Sequence, residues 1–224
     1  METFHILLST MNLPSPPMDD DEFLWRGQSD NFVPKFSPKV TWNMVREHAP
    51  VVPWCSLVWF KQHIPRCSFV LWMAVLARLP TRDRLSSWRM AVPRTCVFCP
   101  AGDETHDHLF FQCPFSPRVW DFFSRRHNVS SMADFSSSVA FCHRLHDDHS
   151  PDVATVFKIL LHVFVYTPWK ERNTRIFKGV CSSEDALFAS IDRAICDCLL
   201  SCPATRNQAC SLFQLYFWFI DPYS

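Results

Sequence analysis

The spacing of apolar positions along the chain favours helices over strands. Residues 69–79 read FVLWMAVLARL, and this nearly unbroken apolar run predicts a helix that is buried on all sides. A second long apolar pattern begins after Pro151. Nearer the C-terminus, apolar residues recur every four positions, as on one face of an amphipathic helix capped by Ser182 or Ser183. They are Leu187, Ile191, Ile195 and Leu199. We therefore predict a mainly α protein, with short strands confined to the neighbourhood of a cysteine pair at 96–99.

Proline and capping residues set the predicted ends of these helices. Pro80 is expected to end the first helix, and Thr81 to cap a short helix over residues 82–88. Ser150 and Pro151 form a start signal for the long helix. Pro168 lies within that pattern and should kink or interrupt it, because proline removes a hydrogen bond from a helix interior.

Composition and the predicted helices divide the chain into four segments. Residues 1–22 carry prolines and the acidic run Asp19-Asp-Asp-Glu22, which predicts a disordered acidic tail. A small helical domain is expected over residues 23–125. A linker is expected at 126–150, and a helical C-terminal region at 151–224.

Composition excludes several functional classes. The chain has only three glycines, so neither a dinucleotide fingerprint nor a phosphate-binding loop can be built. No nucleophile motif surrounds any serine, and we expect no enzymatic activity. The sequence contains no secretory signal and no apolar run of membrane-spanning length. Eleven cysteines without such a signal predict an intracellular protein, in which clustered cysteines indicate metal rather than disulfides.

The candidate metal ligands fall within one short segment. Cys96, Cys99, His108 and Cys113 follow the spacing C-x2-C-x8-H-x4-C, which is typical of a site for one structural zinc ion. On spacing alone, His106 competes with His108, and buried thiols beside a surface histidine are the alternative without metal. On an α-helix His108 and Cys113 would point about 140° apart, so we expect a helix boundary between them.

The formal net charge is zero, but the charges are unevenly distributed. Residues 61–94 carry seven basic residues and one acid, Asp83. Basic side chains bind phosphate, and the nearby Trp59, Trp72 and Trp88 can stack on unpaired bases if they are exposed. Alternatively, Trp72 is buried and the arginines only face solvent. The candidate nucleic-acid contacts are Arg78, Arg82, Arg84, Arg89 and Arg94.

Three ordered blocks carry a family resemblance. They are VWFKQHIPRCSFVLWMAVLARLPTRDRLSSW at 58–88, CVFC at 96–99 and ETHDHLFFQCPFSPRVW at 104–120. In this order, the three blocks resemble the zinc-binding domain of plant LINE-type retrotransposon reverse transcriptases. Downstream, WKERN at 169–173 and Ile176-Phe177 resemble the segment that commonly follows it. The resemblance implies a reverse-transcriptase-type zinc-binding domain at 23–125, His108 as the ligand, and an accessory nucleic-acid-binding role.

No polymerase aspartate motif, endonuclease or RNase H carboxylate set is recognisable, so we expect a detached fragment without the family's catalytic activities. The leading hypothesis is a zinc-dependent module of retrotransposon origin that binds nucleic acid, with RNA favoured. The second hypothesis is a structural-zinc helical domain that binds a protein, such as a reverse transcriptase, or an inactive relic. We expect no membrane partner under either hypothesis.

Overall fold

The computed structural model describes residues 23–27, 31–47, 49–124, 132–148, 151–202 and 211–220. The predicted acidic tail at 1–22 lies outside these residues. Backbone contacts divide the chain into two units, residues 1–51 and residues 52–224.

The described residues of the first unit form a short hairpin and a helix. Strands β1 (Trp25–Arg26) and β2 (Phe32–Val33) pair antiparallel, with Trp25 opposite Val33. Helix α1 spans Pro38–Val45 and is capped by Ser37, whose hydroxyl accepts a hydrogen bond from an amide in its first turn. This hairpin lies outside the cysteine region, contrary to the prediction. Next to the cysteine pair, the described residues form only an isolated β-bridge between Thr95 and Asp103.

The second unit is helical, which confirms the predicted fold class. Its elements in chain order are α2 (Cys55–Val58), α3 (Pro65–Val75), α4 (Arg82–Ser87), a π-helical turn (His108–Gln112), α5 (Phe115–Ser124), α6 (Phe135–Asp148), α7 (Pro151–Lys178), α8 (Glu184–Ser201) and α9 (Leu212–Ile220). Residues 135–148 of the predicted linker thus form α6, and this helix contributes the buried Phe135, Cys142 and Leu145 to the core.

Helix α7 is the centre of this unit. Helices α3, α6, α8 and α9 all pack against it, and most of its side chains between Ala154 and Arg172 are buried. The helix continues through Pro168, so the predicted interruption is wrong. An internal proline costs a helix about 3 kcal/mol, and burial of large apolar side chains such as Phe164 and Trp169 offsets this cost. Among the described residues, no helix has the length and apolar character to cross a bilayer.

Helix α3 differs from its prediction in exposure and in its end. Residues such as Leu71 and Ala74 face the core, but Phe69 is 54% exposed, so the helix is not buried on all sides. The helix ends at Val75, before Pro80, and Ala77, one residue beyond the C-cap Leu76, has the left-handed φ of 51°. The amide of Arg78 donates to the carbonyl of Met73 at 2.7 Å, which closes the last turn.

Helix α8 matches its predicted pattern closely. Ser183 caps it by accepting a hydrogen bond from the Ala186 amide at 3.2 Å. The four predicted apolar positions, Leu187, Ile191, Ile195 and Leu199, are all buried. The four-residue spacing therefore predicted both the helix and the face that it buries.

A buried histidine joins α7 to two other helices. His162 is fully buried, and its Nε2 lies 2.9 Å from the carbonyl oxygen of Leu57 in α2. Its Nδ1 lies 3.2 Å from the hydroxyl of Ser68 in α3. Removal from solvent lowers the pKa of His162 to about 4, and the Leu57 carbonyl raises it by a smaller amount. The imidazole is therefore neutral and acts as a structural hydrogen-bonding group.

This burial predicts acid sensitivity. Below the unfolded-state pKa of about 6.5, the unfolded chain gains a proton that the folded chain does not accept until about pH 4. The free energy of unfolding should therefore fall by up to about 3 kcal/mol as the pH falls from about 6.5 to about 4, because His162 stays neutral in the folded protein. Urea unfolding at pH 7.5, 6.0 and 5.0 measures this decrease in the free energy of unfolding. The decrease should be smaller in His162→Gln, because glutamine does not titrate. The control is His143→Gln, at an exposed histidine. Equal pH dependence in His162→Gln and the wild type would contradict the prediction.

Candidate metal centre

The first two candidate ligands lie on a narrow loop. The amide of Cys96 donates to the carbonyl of Gly102 at 2.8 Å, and the amide of Glu104 donates to the carbonyl of Arg94 at 2.8 Å. These bonds hold the two arms of the loop together. At its tip, the amide of Phe98 donates to Cys96 Sγ at 3.4 Å. The C-x2-C spacing thus gives a tight turn whose backbone amide faces a thiolate.

The other two ligands are presented by the π-helical turn. The hydroxyl of Thr105 accepts a hydrogen bond from the amide of His108 at 3.0 Å and caps the start of this segment. The amide of Cys113 then donates to the carbonyl of His108 at 2.6 Å, a bond that spans five residues. This bonding places residues five apart one above the other, which an α-helix does not. The helical turn ends at Gln112 and Cys113 is its extended C-cap, so the predicted helix boundary lies between the two ligands, and the widened turn aligns His108 with Cys113.

The four side chains form one cluster. The candidate ligand atoms of Cys96, Cys99, His108 and Cys113 all lie within 4.8 Å of one another. Cys96 Sγ and Cys113 Sγ are 3.9 Å apart, and Cys99 Sγ is 3.2 Å from His108 Nε2. Tetrahedral zinc with normal bond lengths places sulfurs about 3.8 Å apart, and sulfur and nitrogen about 3.6 Å apart. A disulfide would need about 2.05 Å. The cluster is consistent with one zinc ion.

The electrostatics of the thiol pair are compatible with a bound cation. The hydrogen-bonding contact with Cys113 lowers the pKa of Cys96 to about 5. The same contact and burial raise the pKa of Cys113, because a second thiolate would face the first at short distance. A divalent cation removes this repulsion. Three thiolates and one neutral imidazole would then leave the loaded site with a net charge of −1.

The structure distinguishes His106 from His108 as the candidate fourth ligand. His108 belongs to the cluster, whereas His106 turns its Nδ1 towards the hydroxyl of Thr81 at 3.4 Å. Burial lowers the pKa of His106, which is therefore a neutral packing residue. Gly102 leaves room for the ligand ring, because an added Cβ would lie 3.2 Å from His108 Cε1. Geometry thus selects His108.

A buried ion pair connects the metal loop to α7. Glu104 is fully buried and Arg172 is 3% exposed. Arg172 donates to Glu104 Oε1 through Nη2 at 2.7 Å and through Nε at 3.0 Å. The amide of Arg82 donates to the same oxygen at 3.1 Å. Sequence analysis placed Glu104 and Arg172 in motifs of the resemblance but gave them no role, because their separation by 68 residues hides the pairing.

A second contact between the loop and α7 is aromatic. Phe98, inside the cysteine pair, stacks on Phe115 with ring centroids 4.3 Å apart. The guanidinium of Arg175 lies 4.9 Å from the Phe98 centroid and 5.0 Å from that of Phe115. Glu171 Oε1 fixes this guanidinium at 2.8 Å. The last turns of α7 therefore contact the tip of the metal loop directly.

The five candidate phosphate contacts are not equivalent. Arg82 is 16% exposed, lies 4.0 Å from Glu104 Oε2 and donates to the carbonyl of Thr95. Arg84 donates to a backbone carbonyl at the end of α3 and lies over the ring of Trp88. Arg94 pairs with Asp103 at the surface. Arg78 and Arg89 are exposed. Arg82 and Arg84 thus make side-chain contacts within the fold, whereas the side chains of the other three lie on the surface.

Comparison with known proteins agrees with this geometry. Residues 36–120 match a family model described as zinc-binding in reverse transcriptase. The matched segment contains all four clustered ligands and ends before α7. A search of curated proteins and a search of solved structures each gave no match.

Native mass spectrometry tests the ligand set. Protein purified without added metal should carry one zinc ion. Cys99→Ser should lose it, because three ligands remain and structural zinc requires four. His106→Ala is the matched control and should retain the ion, since His106 faces Thr81. Folded wild-type protein without zinc, or zinc loss in His106→Ala alone, would contradict this assignment.

Proposed function

We propose that this chain is a zinc-organised accessory module of retrotransposon reverse-transcriptase origin that binds nucleic acid, with RNA as the favoured ligand. The match over residues 36–120 supports the origin. The order of the quoted motifs favours the plant LINE type. The observation that carries the binding role is a group of exposed arginines around α4, the helix that precedes the metal loop in the chain. Residues 48–82 contain no Asp or Glu, and the exposed Arg78 and Arg89 flank α4.

The proposed role of zinc is structural. The four clustered side chains would complete the tetrahedral coordination of a zinc ion, so no position would remain for the reactive water or substrate that a catalytic zinc site requires. The ion would fix the loop that presents Phe98 and Glu104 to α7. This supports a binding module rather than an enzyme. Every cysteine in the described part of the chain is unpaired, which supports an intracellular location.

Phosphate binding would depend on the three surface arginines. Arg94 pairs with Asp103 at 2.9 Å, but both side chains are about half exposed or more. Such surface pairs contribute about 0–1 kcal/mol, so Arg94 can exchange Asp103 for a phosphate at little cost. Each neutralised phosphate releases counterions, which makes affinity fall with salt concentration.

A protein partner is the second candidate. Large apolar side chains are exposed in both units, among them Trp42 and Trp88. Exposed apolar clusters also mark protein interfaces, and a reverse transcriptase is the partner that the family match favours. An inactive relic would retain the metal centre and bind neither ligand.

Binding to a fluorescent single-stranded RNA of 20 nucleotides, measured across a salt series, tests the leading proposal. Arg78→Gln and Arg89→Gln should each weaken binding severalfold and reduce the salt slope by about one. Arg193→Gln is the control, because Arg193 is 84% exposed on α8 and outside the group of arginines around α4. Arg82 is left intact, since its amide and side chain support Glu104. Salt-independent binding, or wild-type affinity in the Arg78/Arg89 double variant, would overturn the electrostatic mechanism.

A further inference from the structure

An exposed group of aromatic rings lies on the outer side of α3. Phe69 and Trp72 are three residues apart and share one helix face, with ring centroids 5.8 Å apart. Trp59, just after α2, extends the group, with its ring 6.3 Å from that of Trp72. Phe69 is 54% exposed and Trp59 is 42% exposed. We call Trp59, Phe69 and Trp72 the aromatic face.

The core does not require these exposed rings. Helix α3 packs on α7 through its opposite side, which buries Cys67, Ser68, Val70, Leu71 and Ala74. Aromatic side chains ordinarily bury most of their large apolar area. Three contacting rings left partly in solvent therefore indicate a binding surface.

The basic side chains around the aromatic face favour the binding of a polyanion over that of an apolar protein helix. Arg66, in the first turn of α3, is exposed, and its guanidinium lies 5.6 Å from the ring centroid of Tyr166. The exposed Lys61 precedes this helix and the exposed Arg78 follows it. No acid occurs between Glu47 and Asp83 in the sequence, so basic side chains from this segment lie at both ends of the rings. An apolar protein helix would gain nothing from these charges.

Carboxylates border this surface on one side. Asp152 and Asp197 line a cleft of about 500 Å³ together with Lys61 and Arg66. A path for a polyanion that avoids these carboxylates follows α3 from Arg66 towards Arg78, over the aromatic face.

We propose that the aromatic face binds single-stranded nucleic acid by stacking unpaired bases on Trp59, Phe69 and Trp72, while Lys61, Arg66 and Arg78 contact the flanking phosphates. This inference rests on the proposed function and names the site where it occurs. Bases in a duplex are already stacked on one another and cannot reach the rings, so the surface selects single strands. Stacking on aromatic side chains is tolerant of base identity, so little sequence preference is expected.

The test uses the full-length protein and a single-stranded RNA that carries 2-aminopurine, whose fluorescence is quenched when the base stacks. Wild-type protein should bind it, quench it, and bind a blunt duplex of the same sequence more weakly. Phe69→Ala and Trp59→Ala should each weaken binding about tenfold and reduce the quenching. Phe69→Trp should restore both. Phe177→Ala is the matched control, because Phe177 is 77% exposed at the end of α7. Zinc content and helical circular dichroism verify folding of each variant.

The outcomes separate this inference from the proposed function. A wild-type protein that binds no nucleic acid defeats both. If the wild type binds RNA and both ring variants bind and quench like Phe177→Ala, the aromatic face is not the site, and the proposed function stands. Equal affinity for duplex and single strand also overturns the stacking proposal. Ring variants that lose binding to a purified reverse transcriptase but keep wild-type RNA affinity assign the face to a protein and overturn the proposal.

Discussion

The buried pairing of Glu104 with Arg172 is the constraint on which the arrangement of the metal loop depends. Removing either charge from water costs several kcal/mol, so such a pair persists only where its geometry and further hydrogen bonds compensate. Here Glu104 Oε1 accepts from Arg172 and from the amide of Arg82. Arg172 also donates to the carbonyl of Pro80 and to Asn173. These bonds join the metal loop, the start of α4 and the C-terminal part of α7 at one point.

The folding unit that contains the metal loop therefore extends beyond residue 120, where the matched segment ends. The matched segment supplies the ligands, but α7 supplies Arg172 and Arg175, which contact the loop next to the metal cluster. A loop of this length has few apolar side chains of its own to bury. Its shape must come from a bound ion on one side and from α7 on the other. In this account zinc determines the shape of the loop, and the helices carry the surface that meets a ligand.

The sequence predicted the features that depend on local spacing. The apolar face of α8 and the four clustered ligands both follow from short-range patterns. Features that depend on tertiary packing were not predicted. Pro168 stays inside α7 because packing outweighs its helix penalty, and Phe69 is exposed because only one side of α3 meets the core. Sequence analysis also did not predict the π-helical turn, because a constraint from the metal ligands, and not helix propensity, widens it. It did not predict the Glu104–Arg172 pair, because the two residues meet only through long-range contact.

Hydrogen exchange measured by mass spectrometry, with and without zinc removal by a chelator, tests the coupling of the metal loop to α7 most directly. If zinc holds the loop against α7, removal should speed exchange at residues 94–113 and also at residues 169–178, where Arg172 and Arg175 contact the loop. Residues 156–165 of the same helix, packed in the helical core, serve as the internal control and should change little. Faster exchange in the loop alone, with residues 169–178 unchanged, would contradict the account.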